Sequence, residues 1–213
     1  MDTIEAAEKL ASYTKTLHDF RIAVSVDGNY QHMGATIVDA ILQAGLKYDS
    51  VVRPRVRGLL KSYPNETTTS AFARLLDAQG AEEIVKMRGA KPKRVVALTE
   101  FLKKKGIEEE SHLKVWIQVS ENRQSLMRLS GIKNKTADYL ARLVSVETSA
   151  PDMWLFQFLE DAHVPLGERK YEAARDIVNK TADLLGISRA VYDQSIWNYK
   201  SGRQEMRPCK GQI

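Results

Sequence analysis

Apolar residues recur along this chain at the three- and four-residue spacing of helices. Ile37, Ile41 and Leu42 make one such stripe, Val56, Leu59 and Leu60 a second, and Phe72, Leu75 and Leu76 a third. The spacing continues through Val95, Leu98, Phe101 and Leu102, through Leu140, Leu143 and Val144, and through Tyr171, Ala174, Val178 and Leu185. It predicts roughly ten helices, with ends placed to about two to four residues. The one stretch with β character, Ile22 to Val26, is cut off at once by Asp27, Gly28 and Asn29, so it reads as a connection. Punctuation is frequent: Tyr63-Pro64-Asn65, Gln79-Gly80, Gly89 to Pro92, Lys105-Gly106, Ser130-Gly131, Ala150-Pro151 and Pro165 to Gly167. The helices should therefore be short and tightly joined. No Gly/Ser linker and no repeat of 20 to 50 residues appears, which leaves an irregular, compact all-α fold.

Composition agrees with a packed domain. With 213 residues, 43% hydrophobic and 28% charged, the chain is close to globular averages and long enough for one large domain or two small ones sharing a core. The lone Cys209 excludes both an intrachain disulfide and a four-thiolate cluster. His18, His32, His112 and His163 form no metal-ligand spacing with it or with one another, so no metal site and no cofactor are expected. The start, with Asp2, Glu5 and Glu8, has no apolar targeting segment, and no uncharged apolar run of about 18 residues follows. The expected location is cytoplasmic (nucleoid-associated) or nuclear, away from membranes.

Charge changes the picture only through its distribution. Thirty-two Lys and Arg against 27 Asp and Glu leave +5, which is compatible with a polyanion partner and does not establish one. From Lys47 to Lys61 the chain carries Lys47, Arg53, Arg55, Arg57 and Lys61 against Asp49 alone, and the tail carries Lys200, Arg203, Arg207 and Lys210 against Glu205. Each run is either a phosphate-facing patch or a solvated face.

The informative segment is Leu126 to Leu140. Leu126 and Leu129 close one helical pattern, Gly131 permits a positive-φ turn, and Tyr139, Leu140, Leu143 and Val144 form the stripe of the next. Such a turn aims backbone N–H groups of Gly131, Ile132 and Lys133 out from a helix N-terminus, with the Lys133 cation beside them. It clamps phosphate without reading bases. Seventeen residues after Lys135 stands Asp152, within Ala150-Pro151-Asp152-Met153-Trp154-Leu155-Phe156-Gln157-Phe158-Leu159, at the start of another helix.

On these residues the chain resembles the helix-hairpin-helix (HhH-GPD) DNA glycosylase superfamily over roughly residues 35 to 200, most strongly from Leu126 to Leu159. Lys135 matches the nucleophile of its bifunctional, lysine-type members and Asp152 the catalytic carboxylate. Thr36 to Leu60 resemble the helix and turn before the lesion-facing loop, Met87 to Leu102 the helix leading to the hairpin, and Leu184 to Tyr199 the closing helix. Three positions depart: Lys133 stands where a second glycine is usual, Ser130 where proline is common, and Trp154 where histidine is common. The iron-sulfur cluster of many relatives is impossible with one cysteine, so the cluster-free branches are the comparison.

The resemblance implies one glycosylase unit over 1–213, with a helical subdomain at 35–148 ending in the hairpin (126–145) and a second formed by 1–34 with 149–213. It implies a monomer acting on double-stranded DNA that contains a damaged base, by analogy an oxidised one. The base would be flipped out and its N-glycosidic bond cleaved, with AP lyase activity through a Lys135 Schiff base and charge stabilisation by Asp152. Arg53, Arg55 and Arg57 would meet the DNA backbone, Gln43 would enter the gap left by the flipped base, and Trp154 would line the base pocket. Phe158 reads as core. Two alternatives stay open: a monofunctional glycosylase in which Asp152 activates water, and a DNA-structure-binding protein that keeps the hairpin without chemistry.

Overall fold

The computed structural model describes residues 2–202, so Arg203, Glu205, Arg207, Cys209 and Lys210 lie outside the described residues. The helices run α1 Thr3–Thr16, α2 Met33–Leu42, a π-helical turn Tyr48–Val52, α3 Arg53–Ser62, α4 Thr69–Gln79, α5 Ala81–Val85, α6 Ala90–Lys104, α7 Glu110–Trp116, α8 Ser120–Leu126, α9 Asn134–Leu143, α10 Met153–Asp161, α11 Lys170–Leu185 and α12 Arg189–Lys200. There is no strand among the described residues, and Ile22 to Val26 is a connection. The surplus over ten consists of short elements such as α5, whose five residues cannot display a repeating stripe.

The described chain divides into two units, 27–146 and 2–26 with 147–202. The first division falls eight residues before the expected 34/35 because the intervening segment bonds into the central unit. Asp27 pairs with Arg53 at 2.9 Å, and the Asn29 N–H donates to Leu143 O at 2.6 Å. The second falls at 146/147 because Glu147 accepts from the Arg189 N–H and the Ser188 hydroxyl, both at 3.0 Å.

In the unit 27–146, α2 is buried on every face and packs against α3, α4, α6 and α9. Gly34 permits the approach of α4, since a Cβ there would stand 2.5 Å from the Phe72 ring. His32 caps α2, its Nδ1 accepting from the Ala35 N–H at 3.2 Å, while Nε2 is 3.0 Å from Tyr63 O.

The one acid in α2, Asp39, is fully buried and accepts from three phenols: Tyr30 at 2.5 Å, Tyr48 at 2.9 Å and Tyr139 at 3.2 Å. Burial, joined by the Asp39 charge, pushes all three phenols well above their ordinary range, which keeps them donors. Burial also raises the Asp39 carboxyl to about 6, against the phenolic hydrogen bonds that favour its ionised form. A carboxyl raised on folding binds its proton more tightly in the native state, so native stability falls as pH climbs from about 4 through 6. The rise from 3.8 to about 6 corresponds to about 3 kcal/mol. Urea unfolding of the wild type and Asp39→Asn across this window should show the wild type losing stability relative to the variant as pH rises. Parallel curves would mean that Asp39 does not titrate there.

In the second unit, α1 packs along α11, and α10, α11 and α12 pack together around Leu10, Leu155, Phe158, Leu159, Val178, Tyr192 and Ile196. Phe158 is the centre of an aromatic cluster, with ring centroids of Tyr13, Phe20 and Tyr199 at 5.3, 5.8 and 6.1 Å.

Candidate active site

The hairpin is built from α8, a tight turn and α9. Leu126, Ile132, Leu140 and Leu143 sink its apolar side into the core. The buried Asp138 of α9 forms an ion pair with Arg123 of α8, which ties one arm to the other. Arg142 lies over the Tyr139 ring at 4.8 Å. Gly131 turns the chain at φ 81°, in the left-handed region. The Ile132 N–H donates to Leu129 O at 3.1 Å. Of the three turn amides expected to face a phosphate, that of Ile132 is therefore engaged inside the turn, and the residue acts as the turn's apolar anchor.

Lys133 occupies the N-cap position of α9 with an exposed side chain, and no side chain caps this helix. The first turn of α9 has no acidic residue. The positive end of the helix is thus presented beside a cation, an arrangement suited to an anion. Lys135, the second residue of α9, is half-buried. A cation of α6, Lys91, stands near it: burial, Arg94 and Lys135 together lower the Lys91 amine below its ordinary value. Lys91 is no rival nucleophile, because its Nζ donates to Ile41 O at 2.6 Å and to Ala44 O at 2.7 Å, closing the C-terminus of α2.

Gln43, held between those two carbonyls in sequence, caps α2, its backbone N–H donating to Asp39 O at 3.0 Å. Its side-chain Nε2 is buried without a hydrogen-bond partner among the described residues. An unsatisfied buried amide costs on the order of 1–3 kcal/mol, so this side chain gains by finding an acceptor elsewhere.

The three arginines from Lys47 to Lys61 differ in their surroundings. Arg53 is spent on Asp27 and Asp49, at 2.9 and 3.0 Å, and its guanidinium lies 5.1 Å from the Tyr48 ring centroid. Arg55 donates to Val51 O at 2.7 Å and to Lys86 O at 3.1 and 3.3 Å. These two brace the start of α3, and only Arg57 stands exposed. In the tail, Lys200 pairs with Asp161 at 2.6 Å.

Asp152, in the other unit, is the N-cap of α10, its Oδ1 accepting from the Trp154 and Leu155 N–H groups at 2.9 and 3.2 Å. Trp154 is half-buried, whereas Phe156 packs against the core that contains Phe158. Sequence reasoning passed over Asp39, Lys91 and Arg94. The signal for Asp39 is a single acid in a ten-residue helix whose other residues, Thr36 apart, are apolar.

Two helices joined across a glycine turn, with an uncapped second helix and a cation at its tip, make this a helix-hairpin-helix chain, and its fold is that of the DNA glycosylases of that type. The 8-oxoguanine DNA glycosylase of Thermotoga maritima is similar at 17% identity and TM-score 0.54, over 92% of this chain and 88% of that one. The H. pylori 3-methyladenine DNA glycosylase MagIII, bound to 1,N6-ethenoadenine, is similar at 18% and TM-score 0.57, over 97% and 100%. The Methanocaldococcus jannaschii 8-oxoguanine glycosylase/lyase, in complex with a 15mer DNA containing 8-oxoguanine, is similar at 14% and TM-score 0.52, over 96% and 91%. No protein-family model matches the sequence, and no curated protein does.

Proposed function

We propose that this protein is a base excision repair DNA glycosylase with AP lyase activity, acting on a damaged, oxidised base in duplex DNA. The observation that carries the reading is Lys135 in the first turn of the hairpin's second helix, at the end where an anionic backbone would be gripped. The Lys135 amine, in its neutral form, donates its lone pair to C1′ as the N-glycosidic bond breaks and the base leaves with the bonding electrons and a proton. Positive charge develops on the sugar during this step, and the Asp152 carboxylate stabilises it. The nitrogen lone pair then expels O4′, which takes up a proton, and the sugar opens to a protonated Schiff base. Removal of a C2′ proton then expels the 3′ phosphate by β-elimination. The buried Gln43 amide supports insertion into the emptied stack, and Trp154 supports stacking on the extruded base.

Borohydride reduction during turnover on a duplex bearing an oxidised base tests the reading. A covalent protein–DNA adduct supports the lyase. Base release without an adduct replaces it with the monofunctional enzyme, and binding with neither leaves a structure-binding protein.

The grip on DNA has its own expected result. Lys133→Ala should reduce the slope of log affinity against log salt by about 0.9, equally for damaged and intact duplex, since a phosphate contact carries no base information. An unchanged slope removes Lys133 from the interface.

A further inference from the structure

Arg94 belongs to α6, yet its side chain reaches across to the hairpin. A Cβ placed on Gly131 would stand 2.3 Å from Arg94 Nε, 2.4 Å from Cζ and 2.7 Å from Cδ. The guanidinium is thus laid directly against the bare Cα of the turn, in space that any other residue at 131 would fill. The side chain is half-buried. Among the described residues its guanidinium has no hydrogen bond and no ion pair, unlike Arg53, Arg55, Arg123 and Arg189, each of which is matched to a carboxylate or carbonyl. The first turns of α6 and α9 contain no acid, and Lys91, one turn earlier on α6, is a neighbouring cation that also feels the charge of Lys135. A fork of N–H donors held in place, without a counter-charge and among other cations, has the makings of an anion receptor.

We propose that Arg94 is a phosphate-binding residue, its guanidinium seated on Gly131 so that one DNA backbone phosphate is held jointly by α6 and the hairpin tip. This rests on the DNA-acting reading above and adds to it a contact from a separate helix. It also gives Gly131 a second purpose: besides allowing the positive φ, it leaves the shelf on which the guanidinium rests. The departure at Lys133, where a second glycine is usual, fits the same picture, since here the tip gathers side-chain cations around the phosphate.

The test is duplex affinity as a function of salt on an undamaged duplex, with thermal melting of each variant measured alongside. Arg94→Gln keeps the long stem over Gly131 and removes the charge. It should lower the log–log salt slope by about 0.9 with its melting temperature close to wild type. Arg94→Lys should retain the slope while losing affinity severalfold, because the charge stays and the fork is lost. Gly131→Ala should reproduce the slope loss of Arg94→Gln, and the double variant should lose no more than either alone. An unchanged slope in Arg94→Gln, with wild-type protein binding DNA normally, would overturn the inference and leave Arg94 as packing. Wild-type protein that binds no duplex at any salt would overturn the DNA reading itself.

Discussion

Lys135→Gln should abolish the borohydride-trapped adduct on damaged duplex while duplex affinity stays within a few fold of wild type. Glutamine has no nucleophilic amine, so the covalent bond to C1′ cannot form, whereas loss of one positive charge removes at most one phosphate contact among several. Position 135 lies in the first turn of α9, which glutamine tolerates as well as lysine does, so the fold should be retained. The measurement is a denaturing gel of the reduced reaction beside a salt titration of binding. A variant that still traps DNA would return the nucleophile's role to some other amine. Lys91 would be a poor substitute, because its Nζ is already engaged by the carbonyls of Ile41 and Ala44.

Asp152→Asn should slow base excision at least a hundredfold, about 2.7 kcal/mol of lost transition-state stabilisation, in single-turnover kinetics. The cap geometry makes this substitution informative. Oδ1 of Asp152 receives the Trp154 and Leu155 N–H groups, and asparagine supplies an equivalent oxygen, so α10 keeps its cap. Asp152→Ala loses both functions and should also melt lower, by about 1 kcal/mol of cap. An Asn variant with a near wild-type rate would leave Asp152 as a cap and no more.

What the sequence disclosed depended on how local each feature is. The hairpin was readable because a glycine, two flanking stripes and a first-turn lysine all fall within some fifteen residues. The cap at Asp152 was readable for the same reason: an acid before an apolar run announces a helix start. A running charge count does not register partners distant in sequence, and Arg53 and Arg55 both have them. Asp27 neutralises Arg53 across 26 residues, and the carbonyl of Lys86 takes up Arg55 across 31. Asp39 is legible as the one acid of α2, but its three phenols are not, since they come from a loop, a π-helical turn and a helix 100 residues further on, which no periodicity joins. The Arg94 shelf lies deeper still, in the absence of a Cβ on a different element.

Because α1 packs on α11, the unit that joins residues 2–26 to 147–202 cannot close until α11 has been made. The Thr181 hydroxyl reaches Ala7 O across 174 residues, so the buried face of α1, with Ala6, Leu10 and Thr14, waits for α11 to leave the ribosome. The stretch 27–146 is contiguous and all its partners emerge together. On a vectorially made chain the hairpin side has first opportunity to fold, while α1 trails as an amphipathic segment exposed to chaperones and proteases. The closing event, and with it the unit carrying Asp152, waits on α11 and α12.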